Sequence, residues 1–497
     1  MAKRKMTTSR RQQIHEATAA KRKKLGLRLN DLPMDILESF LSRLPIKDAV
    51  RTKALSCLWK HTSLCHKNLL FSSRTMMSQR SYTAYGTKSI TAEEFVTRVN
   101  AVLQQHRGGG VEKFEVYFEL ENEYAEQIES WINFVISSRT KQLILDFSPT
   151  RSIKAPYSFP FRLFDATNGS HLQFLEVCSV SLKPPADFKG LVNLKRLHLV
   201  VVDITDEHIH LLLSNCNVLE FLGIYDCDNL TRLRTCHPSN QLKHLVVKKC
   251  YYLKEIELNY GLTTLEYGGE LIPLSSPGKL LLTNICIDVR DICGAIEYLF
   301  TNLPSTLPHL KVLTLKCHEF ERYILPDNPL KFIYLRHMRL ELIFHGLWEK
   351  KTDALDFACL LEAAPLLENL ELHMWMNCVH LRYRKNHGVL RSLPPCTHTN
   401  LKLVNITGFY GQKDQLELVL HILRNSVSLE VMRIDPKPYI AVGQPMMQPY
   451  EEFYFVDGSK VAMKYIRKAD HRNIVNVLEV SRKDVENVSA RRLIDPI

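Results

Sequence analysis

The sequence lacks the short motifs that mark most enzymes of known mechanism. It contains no G-x-S-x-G, no H-E-x-x-H, no G-x-x-x-x-G-K-[ST] and no G-x-G-x-x-G. Its thirteen cysteines include no C-x-x-C pair, and no group of histidines and cysteines has the spacing of a zinc site. We therefore expect a protein that has no catalytic residues, metal or cofactor.

Long apolar runs are also missing. No segment approaches the roughly 18 apolar residues that are needed to cross a bilayer. The N-terminus is charged where a signal peptide would have an apolar core. The odd number of cysteines argues against a complete set of intramolecular disulfides. We expect no membrane partner and a reducing compartment, the nucleus and/or the cytoplasm.

The basic charge of the chain is concentrated at one end. The net charge is +12, but residues 1–28 hold ten basic side chains and one acid, which leaves only +3 for the rest. A tail of this composition cannot bury enough surface to order itself. Nuclear import, a solvating tail and nucleic-acid contact are alternative readings, and import is favoured. The predicted import residues are Lys3, Arg4, Lys5, Lys21, Arg22, Lys23 and Lys24.

Residues 29–71 are dense in apolar side chains. Between Pro33 and Pro45 the spacing predicts a helix with a wide apolar stripe formed by Ile36, Leu37, Phe40, Leu41 and Leu44. A second helix is predicted to start near Lys47 or Asp48. About forty residues cannot bury this much apolar surface among themselves, so another surface must cover it.

These residues resemble the F-box, the segment by which substrate receptors attach to the adaptor of SCF-type ubiquitin ligases. The matching letters are Leu32-Pro33, Asp35-Ile36-Leu37, Leu41-Ser42, Leu44-Pro45, Lys47-Asp48-Ala49-Val50-Arg51, Leu55-Ser56 and Trp59. One departure is Ser63, which stands where plant members usually carry a second tryptophan. The resemblance implies that the adaptor is bound by Leu32, Pro33, Ile36, Leu37, Leu41, Leu44, Pro45, Val50 and Trp59.

The pattern L-x-x-L-x-L recurs along the rest of the chain, and its first four copies are 22, 25 and 23 residues apart, inside the range of leucine-rich repeats. Its copies are Leu172-Leu175-Val177, Leu194-Leu197-Leu199, Leu219-Leu222-Ile224, Leu242-Leu245-Val247, Leu253-Ile256-Leu258, Leu310-Leu313-Leu315, Leu335-Met338-Leu340, Leu367-Leu370-Leu372, Leu401-Val404-Ile406 and Leu429-Met432-Ile434. We expect each copy to form a strand, and parallel stacking of these strands would join them into one core. A gap from residue 262 to residue 310 interrupts the series.

Four segments between the strands have helical spacing and begin at Ile209, Ile292, Phe357 and Leu416. We therefore predict an α/β fold, a short helical F-box followed by a curved leucine-rich-repeat solenoid with parallel strands on the concave face and helices on the convex face. The region around Pro365–Leu372, Leu401–Phe409 and Leu416–Val419 is similar to the FBD region of plant F-box/LRR proteins.

The predicted organisation has six parts. They are a disordered basic tail (1–28), the F-box (29–71), a linker and helix (72–110), leucine-rich repeats (111–360), FBD-like C-terminal repeats (361–435) and a C-terminal tail (436–497). The tail begins with several prolines and is unlike a repeat, with a weak helix predicted from Val461 to Arg467.

The repeats are predicted to bind a protein, because residues between the inward leucines face the concave side. The candidate target-binding residues are Arg196, His198, Phe221, Tyr225, His244, Lys248, His373 and Trp375. By resemblance, the chain is a non-catalytic substrate receptor whose partners are an adaptor, through it a cullin, and a target protein. A ligase-independent nuclear scaffold is the alternative. A small-molecule sensor is disfavoured because Arg196, Lys248 and Lys316 are too sparse, and nucleic-acid binding is not expected.

Overall fold

The computed structural model divides the chain into two units, residues 1–163 and residues 164–497. This division falls inside the predicted repeat segment 111–360. The described residues are 33–52, 66–76, 82–83, 86–87, 90–106, 110–148, 156–165, 171–235, 241–275, 280–290, 295–319, 330–344, 352–376, 382–438 and 452–480.

The first unit combines helices with a short parallel sheet. Its helices are α1 (Met34–Leu41), α2 (Ile46–Thr52), α3 (Ser73–Met76), α4 (Ala92–Gln105) and α5 (Ala125–Ser137). Its strands are β1 (Asn68–Ser72), β2 (Tyr82–Thr83), β3 (Gly86–Thr87), β4 (Lys113–Tyr117), β5 (Gln142–Asp146) and β6 (Tyr157–Ser158). Strand β4 pairs in parallel with both β1 and β5. The predicted boundary between F-box and linker at residue 71 therefore falls within a paired strand.

Local sequence signals set the helix starts of this unit. Pro33 precedes α1, where a missing N–H costs nothing. The carbonyl of Pro45 accepts the backbone N–H groups of Asp48 and Ala49 at 2.8 and 3.0 Å, which begins α2. The Thr91 side chain accepts from the N–H of Glu94 at 3.2 Å and caps α4.

Aromatic side chains fill the core between α4, α5 and the sheet. Phe95 of α4 stacks on Phe118 with ring centroids 4.1 Å apart, and Trp131 of α5 is 1% exposed. The indole N–H of Trp131 donates to Asn100 Oδ1 at 2.6 Å. Burial of large aromatic rings supplies much of the stabilisation of so small a sheet.

The second unit is built on parallel strands. In chain order they are β7 (Phe174–Cys178), β8 (Val180–Ser181), β9 (Arg196–Val200), β10 (Phe221–Tyr225), β11 (Arg232–Arg234), β12 (His244–Lys248), β13 (Glu255–Glu257), β14 (Thr264–Gly269), β15 (Leu274–Ser275), β16 (Asn284–Arg290), β17 (Val312–Glu319), β18 (His337–Phe344), β19 (Asn369–Met376), β20 (Leu403–Thr407), β21 (Val431–Asp435) and β22 (Val475–Val477). The main sheet runs β7-β9-β10-β12-β14-β16-β17-β18-β19-β20-β21-β22.

Matched register aligns the repeated leucines across this sheet. Leu197 pairs with Leu222, and Leu222 pairs with Leu245. All three hold the second apolar position of their unit, and all three are 0% exposed. The third apolar position lies two residues later and therefore points to the same side of the strand. The predicted α/β leucine-rich-repeat solenoid is confirmed.

Helices and a small second sheet cover the inward side of these strands. The helices are α6 (Asp206–Asn215), α7 (Ala295–Thr306), α8 (Ala358–Glu362) and α9 (Lys413–Asn425), and the small sheet has the order β11-β13-β15. Each predicted helical segment overlaps one of these helices. Ile292 itself lies outside the described residues. The third segment is partly a 3₁₀ turn, Ala354–Phe357.

Two assignments within the repeats are corrected by the structure. The copy at Leu253-Ile256-Leu258 does not add a strand to the main sheet, because Ile256 lies in β13 of the small sheet, between Leu253 and Leu258. Apolar alternation does not distinguish between the two sheets, since both are buried on one side. The gap from 262 to 310 holds main-sheet strands β14 and β16, and β16 carries an unrecognised copy of the pattern at Leu282, Ile285 and Ile287.

The C-terminal segment closes the last repeat. Helix α10 (Glu452–Val461) continues as a π-helix (Ala462–Ile466) and ends in α11 (Arg467–Ala469), and β22 then pairs with β21. Gly458 is essential to this packing, because a Cβ there would lie 2.0 Å from the Phe409 carbonyl oxygen. Arg472 donates to the carbonyls of Leu423 and Ser426 at the end of α9, at 3.0 and 2.7 Å.

Candidate functional site

The front helices of the first unit have two different apolar faces. Leu37, Leu41 and Ala49 are 0% exposed and form the buried face. Ile36 and Phe40, one helical turn apart, are 40% and 52% exposed. The wide stripe predicted from the sequence is therefore divided into a buried half and an open half.

Leu44 continues the open half and is 37% exposed, and the prolines at each end, Pro33 and Pro45, are exposed. We call Ile36, Phe40 and Leu44 the open stripe. The carbonyl of Leu44 is bonded to the ring of His66 at 2.9 Å, which fixes the chain where it leaves α1. An exposed apolar row of this kind marks a surface that another molecule covers.

The predicted adaptor-binding set is distributed unevenly over these positions. Leu32 and Trp59 lie outside the described residues. Leu37 and Leu41 are buried inside the unit, so they cannot contact a partner, and Val50 is half-buried. Phe40 was not in that set, although its i, i+4 spacing from Ile36 was the available signal.

On the concave face of the second unit, strands β7, β9, β10 and β12 bring aromatic rings together. His198 stacks on Phe221 with centroids 4.6 Å apart and lies 5.2 Å from Phe174. The Arg196 guanidinium carbon lies 4.3 Å above the Phe221 ring, within cation–π range. We call Phe174, Arg196, His198, Phe221, Tyr225 and His244 the aromatic patch.

A glycine at the centre of the patch lets its rings approach. Gly223 lies between Phe221 and Tyr225 on β10, and a Cβ there would lie 2.8 Å from the Tyr225 ring and 3.2 Å from the Phe221 ring. The rings can therefore lean over the backbone. The sequence predicted Arg196, His198, Phe221, Tyr225 and His244 as candidates. Phe174 was missed, although it holds the same position on β7 that Arg196 holds on β9.

Burial controls the ionisation of the patch. Desolvation lowers the pKa of His198 to about 4, and the positive charge of Arg196 adds to this effect. Within the described residues, His198 Nε2 is buried and has no hydrogen-bond partner. Arg196 is exposed and makes no ion pair with a described carboxylate. At neutral pH the patch thus presents a neutral imidazole and one unpaired cation.

Lys248 and His244 meet a carboxylate at the border of the patch. Glu266 lies 2.7 Å from Lys248 Nζ and 3.1 Å from His244 Nε2. Burial is the largest single effect and acts to raise the pKa of Glu266, but the hydrogen bonds and charges of Lys248 and His244 together outweigh it, so the pKa is lowered. Lys248 is therefore committed to a residue of its own chain.

Farther along the same face the charges neutralise one another. Arg339 contacts Glu341 at 2.7 Å and Glu371 at 3.0 Å, and Lys316 lies 3.4 Å from Glu341. His373 bonds to Glu371 at 3.1 Å. These ion pairs link strands β17, β18 and β19 and leave little charge for a partner.

Two predicted target-binding residues are buried and cannot form an open surface. His373 and Trp375 are each 5% exposed. His373 Nδ1 bonds to Thr407 Oγ1 at 2.8 Å, which ties β19 to β20. The outward strand position suggested exposure, but neighbouring side chains on the same face cover both residues. The predicted import residues, Lys3 to Lys5 and Lys21 to Lys24, lie outside the described residues.

The described residues offer no evident catalytic centre. No group of three or more histidine, cysteine, aspartate or glutamate side chains among them could hold a metal ion. Desolvation raises the pKa of the Cys216 and Cys227 thiols to about 12, so neither is a nucleophile at neutral pH. None of the described helices has both the length and the apolar content to cross a bilayer.

Comparison with known proteins agrees with this architecture. The family model "At1g61320/AtMIF1, LRR domain" matches residues 102–446. The FBD-associated F-box protein At1g61320 of Arabidopsis thaliana is 24% identical over 81% of this chain and 87% of that protein. The F-box/FBD/LRR-repeat protein At4g00160 of the same plant is 24% identical over 83% of this chain and 86% of that protein.

Another relative is more similar in sequence, but over a shorter part of the chain. The F-box/FBD/LRR-repeat protein At1g13570 of Arabidopsis thaliana is 29% identical over 41% of this chain, and the alignment spans 45% of that relative. Among solved structures, the leucine-rich repeat domain of APL1B is similar at 13% identity with a TM-score of 0.23, covering 63% of this chain and 87% of that chain.

Proposed function

Because the chain belongs to the plant F-box/FBD/LRR-repeat proteins, with the leucine-rich-repeat domain of the At1g61320/AtMIF1 family, we propose that it is the substrate-recognition subunit of an SCF-type ubiquitin ligase. The open stripe of Ile36, Phe40 and Leu44 is the observation that supports this proposal most directly. An F-box that docks an adaptor requires an apolar face that its own unit does not cover.

The exposure of the stripe sets the scale of the adaptor contact. Complete burial of one large apolar side chain is worth about 1.5–3 kcal/mol. Ile36, Phe40 and Leu44 are 40%, 52% and 37% exposed, so covering what remains gives roughly 1 kcal/mol each. Together they contribute about 3 kcal/mol, or roughly a hundredfold in affinity. Leu37 and Leu41 act indirectly by holding α1 in place.

The aromatic patch is our candidate for target recognition. Aromatic rings and arginine are enriched at protein interfaces, and Arg196 is an exposed cation above Phe221 without a described carboxylate partner. The ion pairs around Arg339 and Glu371 are satisfied within the chain, so that part of the face has less to offer. A target would therefore bind mainly across strands β7 to β12.

The protein would act by proximity. With the F-box on the adaptor and the repeats on a target, a bimolecular encounter between the target and the charged conjugating enzyme becomes effectively intramolecular. The cullin is reached through the adaptor. No covalent step is assigned to a residue of this chain.

A matched pair of substitutions tests the docking assignment. Leu44 in the open stripe and Leu70 on β1 have the same exposed fraction, 37%. We expect Leu44→Glu to reduce co-purification of the full chain with recombinant SCF adaptor at least tenfold, and Leu70→Glu to leave it unchanged. Equal effects of the two substitutions, or binding that survives Leu44→Glu together with Phe40→Glu, would contradict the proposal and favour a ligase-independent scaffold.

A further inference from the structure

A row of turns forms one edge of the main sheet, at the start of its strands. Most of these turns are closed by a backbone hydrogen bond, as from Leu262 to Asn259 at 3.1 Å or from Leu335 to Phe332 at 3.3 Å. The residues inside them project away from the sheet, except that before β16 Leu280 is 7% exposed and only Leu281 projects. The identity of a projecting residue is free of any packing requirement in the core.

In five consecutive turns, those before β14, β16, β17, β18 and β19, the projecting residues are apolar or aromatic. Tyr260, Leu281, Ile333 and Tyr334 are 55%, 54%, 51% and 45% exposed. We define the edge strip as Tyr260, Leu281, His309, Ile333, Tyr334 and Leu366. In turns nearer the two ends of the sheet each pair is mixed or polar, namely Val192 with Asn193, Asn217 with Val218, Thr399 with Asn400, and the 60% exposed Val427 with Ser428.

The strip is continuous across these turns. A backbone ladder joins Thr283 to Thr263, Lys311 to Thr283 and Arg336 to Lys311 at 2.8–3.0 Å. The rings of His309 and Tyr334 lie 5.7 Å apart. Neighbouring strands are about 4.8 Å apart, so five turns span about 19 Å. A helix of about 13 residues has this length.

Two basic side chains beside the strip lack a partner among the described residues. Lys311 and Lys331 are exposed, and neither makes an ion pair with any carboxylate among the described residues. Arg336 is paired, since its guanidinium lies 3.2 Å from Glu368. A partner that covers the apolar row would therefore gain from acidic groups at its rim.

We propose that the edge strip binds an amphipathic helix of a partner protein, with the apolar face of the helix on the strip and acidic residues toward Lys311 and Lys331. An anionic membrane fits less well, because membrane-binding patches gather four to eight basic residues and this edge has fewer unpaired ones. The strip shares no residue with the open stripe or the aromatic patch. The proposal is therefore independent of the ligase assignment.

The test uses the full chain and two synthetic peptides of 15 residues with leucine at helical i, i+3, i+4 and i+7 positions. One carries glutamate at the flanking positions and the other lysine. By fluorescence anisotropy, we expect the acidic peptide to bind at least tenfold more tightly than the basic one. Leu281→Glu and the milder Leu281→Ser should weaken binding, and Lys311→Glu with Lys331→Glu should reverse the preference. Tyr252→Glu is the control, because Tyr252 is 62% exposed and lies in the turn after β12.

Four results would overturn the proposal. They are equal binding of the two peptides, no binding of either peptide, an effect of Tyr252→Glu as large as that of Leu281→Glu, and full binding by both Leu281 variants. Self-association that Leu281→Ser abolishes would assign the strip to a second copy of the chain. Adsorption to phosphatidylserine vesicles that Leu281→Ser abolishes would assign it to a membrane surface.

Discussion

The carboxylate of Glu417 gives the sharpest stability prediction for the repeats. It lies on α9 with its side chain 0% exposed. Arg391 donates three hydrogen bonds to it, from the backbone N–H at 2.7 Å, from Nε at 2.8 Å and from Nη2. The hydrogen bond from Arg391 to Glu417 raises the pKa of the guanidinium further above its usual range. Arg391→Ala would leave a buried charge without its main partner.

The free energy of unfolding that Arg391→Ala loses depends on which groups still contact Glu417. Breaking a buried ion pair by removing one partner costs about 3–5 kcal/mol. Two features reduce this value. The Arg391 side chain is 47% exposed, so water enters where the guanidinium was, and the backbone N–H of residue 391 still donates to Glu417. We therefore expect a loss of about 2 kcal/mol, which lowers the melting temperature of a unit this large by roughly 4 °C.

Calorimetry of the full chain measures this shift. Arg384→Ala is the control, because Arg384 is an exposed arginine of the same segment and makes no described ion pair. In the double variant Arg391→Ala, Glu417→Gln the uncompensated charge is gone, so we expect at least half of the lost stability to return. The reasoning would be refuted if Arg391→Ala lowered the melting temperature by less than 1 °C, or if the double variant recovered no stability.

Three further predictions concern other parts of the chain. Gly458→Ala should lower the melting temperature by several degrees, because its Cβ would meet the Phe409 carbonyl oxygen, whereas Gly261→Ala would make only an ordinary contact of 3.5 Å with Asn259 Oδ1 and should cost less. His198 should titrate near pH 4 by NMR, and a midpoint above 6 would contradict its burial. Because its pKa is lowered in the folded chain, the stability that it contributes is present above pH 6.5 and is lost as the pH falls toward 4. Alanines at positions 21–24 should remove a fluorescent fusion from the nucleus, and unchanged nuclear signal would exclude them as the import signal.

The repeats could be predicted because their information is local. One unit such as Leu197 and Leu199 places two apolar side chains on the same side of a strand, and the next unit repeats the arrangement 25 residues later. Neither the strand order nor the parallel register needs a long-range contact to be inferred. The α/β solenoid followed from this regularity, whereas the family followed from the resemblance of residues 29–71 to the F-box and of the C-terminal repeats to the FBD region.

The errors arose where the same pattern served two purposes. Leu253, Ile256 and Leu258 alternate like a main-sheet strand but lie in the small second sheet, where Ile256 is also 0% exposed. In the opposite case, Ile285 and Ile287 belong to the main sheet, although they lie in the gap that interrupts the predicted series. Periodicity reports that a side is buried and does not report which element buries it.

The candidate site was predictable in part for a related reason. The spacing predicted one apolar stripe, formed by Ile36, Leu37, Phe40, Leu41 and Leu44. Only the packing in the structure showed that part of this stripe is buried inside the unit. On the concave face, outward position suggested exposure for both His198 and His373. The neighbours decide the difference, because His373 is held by hydrogen bonds to Glu371 and Thr407.

The C-terminal segment shows why a repeat array needs an end that does not resemble a repeat. A terminal parallel strand exposes unpaired backbone groups and the apolar edge of the core. Here β22 pairs with β21, and α10 packs its Gly458 directly on the backbone of Phe409. Because capping requires a close approach of backbones and a few polar bonds such as those of Arg472, it leaves no periodic signal in the sequence. Removal of residues from 452 onward should therefore expose β21 and destabilise the neighbouring repeats, although the removed segment carries no copy of the leucine pattern.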